Sequence, residues 1–118
     1  MNHFVPRKIK FKAWNSEAKL LMRLNSIDCN KGELFRKDHV LLQFTGLLDK
    51  EQEEIYDMDI LLIYSDKYYV FWNPERNGWY FSRLDNPTEV FPFLSANANG
   101  MKRLGSFFEL QSQDIPKF

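Results

Sequence analysis

Polar and apolar residues alternate strictly from Lys8 to Ala13, with Lys8, Lys10 and Lys12 on one side of an extended chain and Ile9, Phe11 and Ala13 on the other. That period of two predicts a half-buried strand. Asn15-Ser16-Glu17 reads as a turn, and Lys19 to Leu24 as a second strand that closes a hairpin on the first. Asn25 to Gly32 is polar and loop-like, and Glu33 to Arg36 is a short strand. His39 to Thr45 is a longer strand, stopped at Gly46. Residues 48–54 form a charged, solvent-facing turn. Asp57 to Tyr64 reads as a central strand and Ser65-Asp66-Lys67 as a tight turn. Tyr68 to Trp72 and Trp79 to Phe81 pair across a loop containing Pro74 and Asn77-Gly78, a combination that marks a hairpin.

The following stretch is less regular. Asn86-Pro87-Thr88-Glu89 reads as the start of a helix, with Asn as cap and Pro in the first turn, and Pro92 limits it to one turn. Ser95 to Gly100 is loop-like. Met101 to Leu110 is a last strand, in which Gly105 marks a bulge or a close approach. Gln111 to Phe118 reads as a loose tail. Many short strands joined by frequent turns predict a mainly β fold, a small antiparallel barrel, closed or partly open, with short helical turns. A barrel also hides strand edges.

The chain has 118 residues, enough for one domain spanning 1–118 with a single modest core. Aromatic residues at 16%, including eleven Phe, favour strands over a helical bundle, as does the scarcity of alanine. Sixteen basic and sixteen acidic residues cancel, which argues against a dedicated nucleic-acid binder. The charge is unevenly spread: residues 1–40 hold nine Lys/Arg and four Asp/Glu, whereas residues 41–66 hold one and seven. The two stretches are expected to neutralise each other within the fold or across subunits. Cys29 is the sole cysteine, so no internal disulfide forms and a cytoplasmic setting is expected. No signal peptide and no membrane span is expected, because the longest apolar runs fall far short of the roughly 20 residues a bilayer requires.

Three separated blocks resemble the YopX family of small phage and prophage proteins. Arg7-Lys8-Ile9-Lys10-Phe11-Lys12-Ala13-Trp14 is similar to its opening. Leu42 to Leu61, with Gln43-Phe44-Thr45-Gly46-Leu47 and Glu54-Ile55-Tyr56-Asp57-Met58-Asp59-Ile60, is similar to its middle. Leu104-Gly105-Ser106-Phe107-Phe108-Glu109 is similar to its close. Gln52 and Met58 stand where the family has Gly, so a tight glycine turn is not expected at either place and Met58 is expected to pack instead. The resemblance implies a phage or mobile-element origin, a β-rich fold and possible self-assembly. It transfers no catalytic residue.

Candidate chemistry is sparse. Asp57 and Asp59 would share a strand face and, with Glu53 and Glu54, could offer oxygen ligands to a divalent cation. The favoured reading has them cap the strand and pair with Lys8, Lys10 or Lys12. Gly46, Asp49, Asp59 and Gly105 are expected to be structural, and Asp59 to accept amide bonds from the charged turn. Cys29 with His39 is a conceivable nucleophile and base, though an ordinary loop cysteine is favoured. Arg7, Lys8, Lys10 and Lys12 with Trp14 could hold single-stranded nucleic acid by phosphate contact and stacking, against the favoured reading of a neutralised face. Tyr69 and Phe71 fall on one side of the aromatic hairpin, Tyr68, Val70 and Trp72 on the other. Both sides are therefore aromatic. The hairpin is covered twice, or Tyr69, Phe71, Trp72, Trp79 and Phe81 form an interface. No cofactor motif and no zinc spacing is present. The function expected is non-enzymatic, acting through contacts with itself or with a host or phage protein. A small nucleic-acid-binding barrel is the alternative and a metal-dependent hydrolase a more distant third.

Overall fold

The structure is a computed structural model and describes residues 3–112. The fold is mainly β, with antiparallel sheets, one of them curled into a half-barrel, and two short helices. The first sheet is built from β1 (Phe11–Asn15), β2 (Leu20–Arg23), β5 (Val40–Leu48) and β6 (Glu54–Tyr56), in the order β2-β1-β5-β6. The second contains β7 (Asp59–Ile63), β8 (Asp66–Asn73), β9 (Gly78–Arg83), β10 (Asn86–Pro92) and β11 (Lys102–Ser106), in the order β10-β9-β8-β7-β11. In a separate hairpin, β3 (Asp28–Asn30), within the segment expected to be a loop, pairs with β4 (Glu33–Phe35), where a short strand is expected. The helices are α1 (Ser95–Ala98) and α2 (Phe107–Ser112).

The β8–β9 hairpin forms as its local chemistry dictates. Val70, Phe71 and Trp72 face Phe81, Tyr80 and Trp79 in register. The Asn73 side-chain oxygen accepts the Glu75 and Arg76 amides at 3.0 and 3.3 Å, and Asn77 takes the left-handed conformation that closes the loop. One face of this sheet supplies Leu61, Val70 and Phe81 to the core, where they meet Ile55 of β6, Phe93, Ala98 of α1 and Met101.

Five expected elements differ. The run Asn86 to Pro92 is a strand, because it lies at a sheet edge where Pro87 and Pro92 sacrifice little pairing. The Ser82 hydroxyl bridges its irregular register by donating to the Glu89 carbonyl at 2.6 Å. Ser95–Ala98 is one helical turn closed by the Asn97 side chain, which accepts the Leu94 amide at 2.8 Å. The last strand ends at Ser106, where the Phe107 amide turns to donate to the Met58 carbonyl at 2.7 Å and α2 begins. Of the expected tail, Gln111 and Ser112 belong to α2, and residues 113–118 lie outside the described residues. Asp57 and Met58 form the tight turn between β6 and β7, so the central strand starts at Asp59.

β1 departs from its simple alternation. It is flanked by β2 and β5, and Ala13 and Trp14 are both buried although they point to opposite faces. Trp14 stacks on Phe108 of α2 with centroids 5.9 Å apart, whereas Ile9 is left exposed.

Candidate functional site

Charge is concentrated where the β5–β6 turn, β7 and β11 meet. β5 does not stop at Gly46 but runs through it, with Gly46 at φ +89 inside an irregular stretch of pairing with β6. The turn that follows is solvent-facing from Lys50 to Glu53, as expected, and is tied down from beneath by Asp49, which is fully buried. One Asp49 oxygen accepts the amides of Glu51 and Glu53 at 2.8 and 2.9 Å, and the other accepts the Arg103 amide at 2.8 Å. Burial pushes the Asp49 carboxyl up, but those three amides together outweigh it and hold the group below its ordinary value. The role expected of Asp59, accepting amides from the charged turn, is thus performed by Asp49.

Asp59 has a different task. Its Oδ2 accepts the Tyr56 amide at 2.8 Å and the Arg103 Nε at 2.7 Å, with Nη2 at 3.5 Å from Oδ1. Burial raises its pKa, and the Arg103 guanidinium pulls in the opposite direction. For Arg103, burial works against the charge, yet the Asp59 carboxylate prevails and holds its pKa above the ordinary value. Gly105 forms the expected irregularity in the β11–β7 ladder, at φ +153, with the Leu110 side chain 3.5 Å from where a β-carbon would stand.

The basic and acidic stretches of the sequence meet along this region. Lys10 pairs with Glu54, and that bond holds Glu54 below its ordinary pKa. Lys102 pairs with Glu53 at 2.8 Å and Glu51 at 3.4 Å. The Tyr56 hydroxyl donates to Glu54 at 3.1 Å, and burial together with that carboxylate pushes its pKa up to about 12. Asp59 pairs with Arg103, not with any of the three lysines of the first strand. Lys12 instead lies over the Tyr56 ring, 4.4 Å from its centroid, and burial lowers its pKa.

The proposed metal-ligating set is dispersed among these bonds. Glu53 and Glu54 are each bound to a lysine, and Asp59 to Arg103. Asp57 sits in the turn, where burial raises its pKa to about 6 against amide bonds from Trp72 and Met58. Among the described residues no three His, Cys, Asp or Glu side chains come together as metal ligands. Cys29 is exposed on β3, and the His39 ring Nδ1 lies 2.7 Å from the Lys37 carbonyl, so no thiol–imidazole pair forms between them.

Trp14 is unavailable for base stacking, being buried against Phe108, and Lys10 is occupied by Glu54, so Arg7, Lys8, Lys10, Lys12 and Trp14 are not one stacking platform. The aromatic hairpin does have two sides. Phe81 is buried in the core, and Trp79 packs against it while remaining half-buried. Trp72 stays 40% exposed at the edge of Trp79. Tyr69 and Phe71 stack on the opposite face, half-buried, with centroids 5.3 Å apart.

Arg103 and Arg23 were not singled out by sequence. Arg103 carries no local signal, since its partners lie 44 and 54 residues away. Arg23 could have been found by drawing the β1–β2 hairpin to its end, which sets Arg23 opposite Lys12.

A family model described as "YopX protein" matches residues 7–109. No curated protein matches the sequence. Among solved structures, the crystal structure of protein EF1440 from Enterococcus faecalis is similar, with a TM-score of 0.59 at 20% identity, covering 91% of this chain and 98% of that one. At that identity the likeness concerns the fold. Among the described residues no helix is long and apolar enough to cross a membrane.

Proposed function

Taking the chain as a member of the YopX family, to which it belongs, we propose that it is a non-catalytic protein of phage or prophage origin. It works in the cytoplasm of a bacterial host through protein contacts, chiefly with further copies of itself. The observation that carries this reading is the β3–β4 hairpin. Its two strands pair with each other, every one of their residues is exposed, and Leu34 and Phe35 stand 39% and 46% open. A two-stranded hairpin is at best marginally stable alone in water. Laid along a sheet edge of a second copy, it gains both ladder hydrogen bonds and apolar burial. The buried carboxylates support a non-catalytic role, because Asp49 and Asp59 are each satisfied by amides or by Arg103.

The test is light scattering coupled to size exclusion over a wide concentration range. Wild-type protein is expected to form a defined oligomer. Leu34→Ser/Phe35→Ser, which alters exposed positions, is expected to be a folded monomer. A wild-type protein that stays monomeric at high concentration overturns the reading.

A further inference from the structure

Positive charge outweighs carboxylate in the recess beside β1 and β2, which is walled by four cations and two carboxylates. Lys12 and Arg23 stand directly opposite each other in the β1–β2 ladder, an arrangement of like charges that weakens a strand pair. Both line a recess of about 390 Å3, together with Gln52, Arg103 and two glutamates already bound elsewhere, Glu54 to Lys10 and Glu53 to Lys102. The other cations of this region have partners: Lys10 has Glu54, Lys102 has Glu53, and Arg103 has Asp59. Neither Lys12 nor Arg23 has an ion-pair partner among the described residues. Burial and then the Arg103 guanidinium disfavour the Lys12 charge, and Arg23 adds to this. Asp59 and Glu109 act in the opposite sense, but Asp59 is committed to Arg103. A half-buried ammonium facing an arginine directly across the strand pair is in an environment that an anion relieves.

A second hollow adjoins the first. It shares Lys10, Arg23, Glu54 and Tyr56 as walls and is lined further by Ile9, Phe11, Leu24 and Ile27, with a volume of about 480 Å3. Asn25 and Ser26 also line it, so a charged pocket opens onto one of mixed polar and apolar walls, which suits a ligand with an anionic head and an uncharged body that carries hydrogen-bonding groups. Lys12 and Arg23, without an ion-pair partner among the described residues, match a dianionic group, and a phosphate monoester carries close to that charge at neutral pH.

We propose that this recess binds an organic phosphate monoester, its phosphate held by the Lys12 ammonium and the Arg23 guanidinium and its body lying in the hollow lined by Ile9, Phe11 and Ile27. The site is complete within one copy, so it stands or falls independently of self-assembly.

The experiment is an NMR and calorimetric titration at low ionic strength, with sodium chloride at matched ionic strength as control. The probes are inorganic phosphate, a nucleoside monophosphate, and a short single strand of DNA with and without a 5′-phosphate. Saturable one-to-one binding of the nucleoside monophosphate is expected, tighter than that of inorganic phosphate. Arg23→Gln and Lys12→Met should each weaken it about tenfold or more, whereas Lys8→Met leaves it unchanged. Arg23 is exposed on an edge strand, so its replacement leaves the fold intact. Lys12→Met removes a like-charge contact, so without ligand its melting temperature should hold or rise while the phosphate-induced rise expected of wild type disappears. Binding of the 5′-phosphorylated strand alone would identify a polynucleotide end as the source of the monoester. Binding of the mononucleotide alone would identify a small ligand. Absence of a saturable response, an equal response in the Arg23 and Lys12 variants, or equal binding of the unphosphorylated strand overturns the proposal.

Discussion

Arg103 Nε donates to Asp59 Oδ2 across 2.7 Å, and the carboxylate that receives it is 1% exposed. Removing one member of such a pair leaves the other charge buried without compensation. Asp59→Ala is expected to cost about 3–5 kcal/mol, more than an exposed pair such as Arg83–Asp85, which contributes little. Replacing both groups with apolar side chains of similar volume should recover much of the loss. Urea denaturation of the two single variants and the double variant reads the difference directly.

Asp49 is a separate fastening. Its carboxylate gathers the Glu51, Glu53 and Arg103 amides, and Asp49→Asn retains its shape but offers one acceptor where two are needed. A loss of about 2–3 kcal/mol is expected. Because the folded pKa lies below the ordinary 3.8, the stability it contributes is present above that pH and is lost as pH falls through the folded value. Acid unfolding of Asp49→Asn should therefore lack part of the wild-type decline at low pH.

Asp57 runs the other way. Its pKa rises from 3.8 to about 6, so between those values the folded protein holds a proton that the unfolded chain has released. Stability then falls as pH rises through that window. Asp57→Asn is expected to stabilise the protein at pH 7 by about 1–2 kcal/mol, discounted for partial exposure, and to flatten the profile between about pH 4 and 6. Denaturant midpoints measured across that range check both the sign and the window.

The backbone at Gln52 and Met58 is left-handed, with φ of +68 and +66. The tight turns implied by glycine in the family are therefore kept by side-chain-bearing residues, contrary to expectation. The left-handed conformation costs an ordinary residue roughly 1–2 kcal/mol, part of which glycine gives back through its freer unfolded state. At exposed Gln52 the balance favours Gln52→Gly by about 0.5 kcal/mol. Met58 is held by the Val70 carbonyl and by the Phe107 amide, both at 2.7 Å, and its side chain is half-buried. Met58→Gly should therefore gain nothing. Thermal melts of the two variants separate the cases.

What the sequence revealed follows from how far apart the interacting residues lie. The β8–β9 hairpin was legible because Trp72 and Trp79 meet across a loop that carries its own turn chemistry. Gly105 was legible because an interior glycine in a strand has few uses. The strand at Asn86–Pro92 was misread because its local capping signals favour a turn of helix, and only a place at the sheet edge makes its prolines acceptable. Trp14 looked like a stacking platform because α2, whose Phe108 covers it, had been read as strand. The site residues Arg23 and Arg103 acquire meaning only through partners supplied by other strands.

The long reach of Arg103 bears on how the chain comes off the ribosome. Asp49 and the turn that follows it emerge early, yet the amide that completes their binding arrives 54 residues later, shortly after the Met101 carbonyl that receives the Lys50 amide. A nascent chain halted before residue 101 keeps an unfinished seam through its middle, so the segment around Asp49 matures only after residues 101–103 have been made.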